Sequence, residues 1–274
     1  MILLFIFVFS WNANPQSPYP KNYFRSPVDF GIFLSGSFGE VRKNHFHSGI
    51  DIRTEGATGK PVRAVADGYV QRINVSPVGF GKALYIVHPN GFTSVYGHLD
   101  RFNSKIGAWS RAEQYKQESF ALDISLQPGV LPVKKGDIIA YSGNSGSSGG
   151  PHLHFEIRDA GTQETINPLL FGLSVKDMVP PKIYSIRIYP FDDNGLVNFA
   201  DNPCSRDVSG SDGRYFIKSK DTVRVSGNII FGIEAFDYLN DSELKTGITT
   251  IELWVDTIRN FSQTLDRFGH QQLQ

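Results

Sequence analysis

Residues 150–157 read Gly-Pro-His-Leu-His-Phe-Glu-Ile, and the chemistry of the chain starts there. His152 and His154 stand two apart in a run with strand character, so both imidazoles project from one face. Much earlier, residues 44–51 read Asn-His-Phe-His-Ser-Gly-Ile-Asp and offer His47 and Asp51 at spacing i, i+4. Two imidazoles and one carboxylate suit a zinc ion with one coordination position left for water, the pattern of a catalytic site rather than a structural one. His98, after Tyr96-Gly97, adds another imidazole. Any one of these histidines alone reads as a hydrogen-bonded structural residue; the set is what points to a metal. The glycine- and serine-rich run 143–151 leads straight into His152, and such a loop can approach a bound peptide closely because few side chains stand in the way.

The elements that must hold these residues are strands. Residues 61–70 suggest two short strands around Asp67-Gly68. Residues 83–87 and 92–96 flank His88-Pro89-Asn90-Gly91, where Asn-Gly is a strong hairpin signal. Residues 133–142 supply another pair, broken at Lys135-Gly136-Asp137. No long helical pattern alternates with these runs, so the expectation is an antiparallel β domain with a groove. The exception is a polar insertion at about 101–131, in which residues 112–118 have the composition of one or two helical turns. Pro180-Pro181 interrupts helix and sheet alike and marks a boundary. Beyond it, runs at 183–189, 215–217, 222–226, 229–235 and 250–255 are spaced for a small β-sandwich, and 262–274 reads as an aperiodic tail. The chain is thus expected to be mainly β: a signal-like apolar segment and lead-in at 1–23, a first domain at 24–178 and a sandwich-like second domain at 179–274.

The totals agree with this and narrow the function. With 274 residues the chain can bury a substantial core. Its 27 basic and 27 acidic side chains leave no global field for nucleic acid or an anionic membrane surface. The single cysteine, Cys204, excludes an intrachain disulfide and thiolate-rich zinc sites, and is given no role. Residues 1–9 are apolar but too few to span a bilayer as a helix, which takes about 20. Their length suits the h-region of an export signal, although no basic residue precedes them, and export is favoured over a buried first strand.

Three blocks carry a resemblance: His47-x-x-x-Asp51, Tyr96-Gly97-His98-Leu99, and residues 142–156, SGNSGSSGGPHLHFE. In this order they resemble the lysostaphin-type zinc metalloendopeptidases, the LytM-domain peptidases, with the likeness running over residues 31–170. The resemblance implies that Zn2+ is bound by His47, Asp51 and His154, with His152 and His98 as the catalytic pair. Zinc lowers the pKa of bound water to about 7 and polarises a scissile carbonyl. One of His152 and His98 would act as the base and the other would stabilise the developing oxyanion; the sequence leaves the assignment open and His152 is favoured as the base. The family register selects His47 over His45. His88 is expected at the surface, and His270 in the tail is set aside. Glu156 is open between an outer partner that orients a ligand and a surface carboxylate at a strand end.

The implied activity is hydrolysis of peptide cross-links of peptidoglycan, with the direct stem-peptide cross-link favoured over glycine bridges. That implies a protein exported to the periplasm or cell envelope, monomeric, without a membrane span when mature and without a nucleic-acid partner. The alternative is a non-catalytic scaffold or activator of other cell-wall hydrolases, the fate of relatives that have lost metal ligands; the complete ligand set favours the enzyme. Gly146-Ser147-Ser148-Gly149-Gly150 fits the G-x-S-x-G of a serine hydrolase, but Pro151 and a strand follow where a helix is required. A cupin-type dioxygenase needs a later carboxylate and histidine that the chain lacks. The insertion is long enough to wall the groove. The oxygen-rich residues 236–242 read as an ordinary polar turn rather than a calcium loop.

Overall fold

The computed structural model describes residues 18–43, 45–175, 179–238 and 245–269, together with the backbone of the Leu4–Phe9 strand. The chain divides into two compact units: Asn14–Lys176 with Thr264–Gln274, and Met1–Ala13 with Asp177–Gln263.

The first unit is an antiparallel sheet in which Leu34–Gly36, Ile50–Arg53, His152–Asp159, Phe92–Phe102, Lys82–Val87, Gly68–Val75 and Leu122–Ser125 lie side by side in that order. The central His152–Asp159 strand pairs with Ile50–Arg53 on one side and Phe92–Phe102 on the other. Its alternation divides two environments. Leu153, Phe155 and Ile157 are fully buried on the core face with Ile50, Ile52, Leu84, Ile86 and Tyr96, each such burial being worth about 1.5–3 kcal/mol. His152, His154, Glu156 and Arg158 take the opposite face. The Asn90-Gly91 hairpin forms as expected: His88 N–H donates to the Phe92 carbonyl, and Gly91 takes the left-handed conformation at φ 83°.

The insertion holds more helix than its composition announces. Ser104–Lys116 is a helix of 13 residues whose N-cap, Asn103, accepts a hydrogen bond from the Ile106 N–H at 2.8 Å. It buries Ile106, Gly107 and Ser110; with small residues on its inner face, no apolar stripe of helical period appears in the sequence. The strand after it, Leu122–Ser125, pairs with Gly68–Val75 at the edge of the sheet. Two strands, Gly68–Val75 and Lys82–Val87, separate it from Phe92–Phe102, so this strand extends the sheet where a groove wall was expected.

In the second unit, Arg214–Ile217, Cys204–Ser211, Lys182–Pro190, Ile229–Tyr238 and Lys245–Thr246 form a five-stranded sheet. A three-stranded sheet joins Leu4–Phe9, Thr250–Val255 and Ile258–Thr264. The apolar run read as a signal is here a strand paired antiparallel to Thr250–Val255, from Leu4 opposite Val255 to Phe9 opposite Thr250; Phe, Ile and Val suit a strand as well as an h-region. The residues read as an aperiodic tail also supply strands. Ile258–Thr264 is one, and Arg267–Phe268 pairs with Thr165–Ile166 of the first unit, where Phe268 stacks on Phe38 with ring centroids 4.6 Å apart.

Candidate metal centre

Strand register brings the candidate ligands together. His154 lies directly opposite Asp51 on one neighbouring strand and Gly97 on the other. His47 sits in the segment leading into Ile50–Arg53, held by backbone bonds from its N–H to the Glu40 carbonyl and from the Gly39 N–H to its own carbonyl, both 2.8 Å. Two glycines make the approach possible. A Cβ on Gly49 would collide with the Phe155 carbonyl oxygen, and one on Gly36 with Arg42 and Asp51.

Three atoms converge. His47 Nε2 lies 3.1 Å from Asp51 Oδ1 and 3.1 Å from His154 Nδ1, and His154 Nδ1 lies 2.9 Å from Asp51 Oδ1. All three residues are buried. The outer nitrogens identify the tautomers. His47 Nδ1 is 2.8 Å from the Ser37 carbonyl oxygen and His154 Nε2 is 2.9 Å from Glu156 Oε1, contacts that require N–H donors. The inner nitrogens of the neutral rings therefore bear lone pairs, both aimed at a carboxylate oxygen. Three lone-pair atoms facing one another in a buried space repel unless a proton or a cation lies between them. The donor set, two imidazole nitrogens and one carboxylate oxygen, fits zinc. Arg42 Nη2 holds the other carboxylate oxygen, Asp51 Oδ2, at 3.0 Å and leaves Oδ1 for the centre.

His152 and His98 border this cluster with ring centroids 4.7 Å apart. His152 Nδ1 donates to the Gly150 carbonyl and His98 Nδ1 to the Ser145 carbonyl, both at 2.8 Å, which leaves both Nε2 atoms available. His152 Nε2 lies 3.5 Å from Asp51 Oδ1. His98 owes its position to a β-bulge. Lys82 pairs with Leu99 and Leu84 with Tyr96, so Gly97 and His98 together stand opposite Ala83. His98 is left-handed at φ 57°, at a cost of about 1–2 kcal/mol for a residue with a side chain. The Phe80 ring stacks on His154 at 4.6 Å and closes the wall.

The glycine-rich loop is divided between two tasks. Cβ atoms on Gly143 and Gly146 would collide with the backbone of Asp100 and of Gly79–Gly81, whereas Gly149 and Gly150 face open space. The first pair locks the loop to its neighbours, and the second keeps the approach to His152 clear.

Burial and partners shift the titrations. Burial lowers His98 to about 4 and keeps it neutral at pH 7. Asp51 lies far below the usual carboxylate range in the metal-free site: burial opposes this, and protons that His152, His154 and His47 carry toward it there outweigh burial. Burial also opposes the charged form of His154, yet its bonds to Asp51 and Glu156 carry it up to about 9 in the metal-free site. A metal there displaces that proton.

All five residues singled out from the sequence, His47, Asp51, His98, His152 and His154, meet here. Glu156 is fully buried and bonded to His154 and Arg158, so the reading of it as a surface carboxylate is corrected. His88 is likewise not at the surface. It is 2 % exposed, with Nδ1 2.9 Å from the Asp67 carbonyl and Nε2 2.8 Å from Ser94 Oγ; the Phe24 ring packs edge-on against it with centroids 5.3 Å apart. His45 is exposed, and His270 and residues 239–242 of the rejected calcium run lie outside the described residues. Arg42 and Arg158 had no signal in the sequence, because an arginine is recognisable as a partner only once its carboxylate is located in space.

Residues 45–115 and 123–168 match peptidase family M23, with the break inside the insertion. An uncharacterized metalloprotease of Haemophilus influenzae is 30% identical over 159 residues, 56% of this chain and 28% of its own. The DD-carboxypeptidase/endopeptidase Mpg of Neisseria meningitidis is 31% identical over 132 residues, 48% of this chain and 24% of its own. The glycyl-glycine endopeptidase ALE-1 of Staphylococcus capitis is 31% identical over 148 residues, 54% of this chain and 30% of its own. The chain thus spans less than a third of the length of these relatives. Blocks, register and ligand cluster agree with the match: residues 45–115 and 123–168 carry the likeness to peptidase family M23, the LytM-type peptidases.

Proposed function

We propose that this chain is a zinc-dependent endopeptidase that hydrolyses peptide cross-links of bacterial peptidoglycan. The observation that carries the reading is the convergence of His47 Nε2, Asp51 Oδ1 and His154 Nδ1, two lone pairs and a carboxylate with the outer nitrogens already committed. These three would hold the metal. Zinc bound there supplies Lewis acidity and an acidified water.

The remaining work falls to the chain's own groups. His152, anchored through Nδ1, presents Nε2 to take a proton and return it to the leaving amine. His98 presents Nε2 beside it; neutral at rest, it donates to a developing oxyanion only after gaining a proton. Gly149 and Gly150 leave room for an extended peptide against the strand end. Similar proteins are named for both DD- and glycyl-glycine bonds; we propose the direct stem-peptide cross-link as substrate. Such a substrate lies outside the cytoplasmic membrane, so the site acts in the cell envelope. Among the described residues no helix is long and apolar enough to cross a membrane.

Digestion of purified sacculi of several cross-link chemistries, with and without a chelator and with products identified by mass spectrometry, tests this reading. Chelator-sensitive release of newly cleaved stem-peptide cross-links is expected. A folded, zinc-loaded sample that cleaves none of them overturns it in favour of a scaffold.

A further inference from the structure

The face of the His152–Asp159 strand that carries the candidate ligand continues past it. Glu156 is 0 % exposed, and its Oε1 accepts from His154 Nε2 at 2.9 Å. Its Oε2 accepts from Arg158 Nε and Nη2, both at 2.6 Å, and Arg158 is itself buried. Ser48, next to candidate ligand His47, also donates to Glu156 Oε1. A buried ion pair of this kind is no better for stability than apolar residues of the same size, because desolvating two charges offsets their attraction. Alternating residues on a sheet face beneath a closely packed segment would ordinarily be apolar. Stability therefore does not explain why Glu156 and Arg158 occupy these positions, whereas their contact with His154 does.

We infer that Glu156 and Arg158 form a positioning pair for the metal centre: Glu156 accepts from His154 Nε2 and so leaves Nδ1 to face the metal, and Arg158 holds the Glu156 carboxyl group in place. The inference rests on the metal-binding reading of His47, Asp51 and His154. An acceptor behind a ligating imidazole sets its tautomer, aims the ring and raises its basicity, and loss of such partners typically costs about 10–100-fold in metal affinity. Gly49 belongs to the same device, because its missing Cβ is what lets the strand and the Glu156 stem approach.

The test compares the parent with two charge-balanced double variants, Glu156→Gln with Arg158→Met and Glu156→Leu with Arg158→Met. The first keeps an acceptor for His154 without the charge; the second removes both. Zinc affinity is read by competition with a chromogenic chelator, alongside the melting temperature of each zinc-free protein. Zinc affinity should fall in the order parent, Gln variant, Leu variant, with the last weaker by about 10–100-fold, a fall beyond what any drop in zinc-free melting temperature from the unpaired Ser48 and His154 donors accounts for. In the zinc-loaded parent, long-range proton–nitrogen correlation spectra should show the His154 proton on Nε2, a measurement that needs no variant to fold. Equal zinc affinity in all three proteins, a loss that merely follows zinc-free stability, or a parent His154 protonated on Nδ1 overturns the inference. A parent that binds no zinc overturns the metal reading and this inference with it; a parent that binds zinc while the variants match it overturns the inference alone.

Discussion

At the scale of single residues, a proton acceptor and a metal ligand differ in which ring nitrogen is already committed. His154 has Nε2 on Glu156 and Nδ1 in the cluster, whereas His152 has Nδ1 on Gly150 and Nε2 at the margin of the site. His154→Ala is therefore expected to lose bound zinc and hydrolysis together. His152→Ala should keep zinc and lose turnover by about 10²–10⁴-fold. Metal analysis beside sacculus digestion distinguishes them, and normal hydrolysis by the His152 variant would remove its assigned role. His88 makes a different prediction. Burial lowers it to about 4, so between its unfolded pKa of about 6.5 and that value the unfolded chain binds a proton that the native one does not. Its contribution is intact above pH 6.5 or so and is lost as pH falls through about 4, by up to roughly 3 kcal/mol. Denaturation between pH 7 and 4 should show this loss, and His88→Gln should flatten it. The turn beside His88 suggests exposure; the hydrogen bonds that hold it inside come from residues 67 and 94, and the first is far away in the sequence.

At the scale of elements, the site depends on loops seated by glycine. Gly146 is left-handed at φ 73°, and a Cβ there would collide with the backbone of residues 79–81. The same loop supplies the Ser145 carbonyl that holds His98. Gly146→Ala should unseat the loop, cost roughly 1 kcal/mol or more, and lower kcat at least about tenfold through a misplaced His98 while zinc content stays at the parent level. Parent-like kcat would show that the loop does not aim His98. The strand at residues 152–159 was legible because its period of two is written in alternating side chains. The helix Ser104–Lys116 was only partly legible, since the face it buries is made of small residues. The bulge at His98 left no trace at all: extra residues in a ladder are defined by the partner strand, and a single strand's sequence does not contain its register.

At the scale of the molecule, the first unit takes its last strand from near the end of the chain. Phe268, 7 % exposed, stacks on Phe38 beside the segment that carries His47. Phe268→Ala is expected to destabilise this unit by about 3–5 kcal/mol, seen as a lower midpoint of denaturation for the first unit. An unchanged midpoint would show that the Arg267–Phe268 strand is dispensable. A division of the chain at the paired prolines alone does not anticipate this return, because two residues of strand carry too little pattern to be read without their partner.

What the sequence determined by itself is the chemistry: which residue types stand at which spacing, that His152 and His154 share a face, and that three blocks in order belong to one kind of peptidase. These are local properties, settled by the periodicity of a strand and the identity of side chains. What only the tertiary structure decided is how those groups are held. Opposition of His154 to Asp51, the left-handed turn at His98, the burial of Glu156 against Arg158 and the strand at Arg267–Phe268 all depend on contacts between distant segments. Register and packing fix such contacts through the whole sheet, and no single stretch of the chain specifies them.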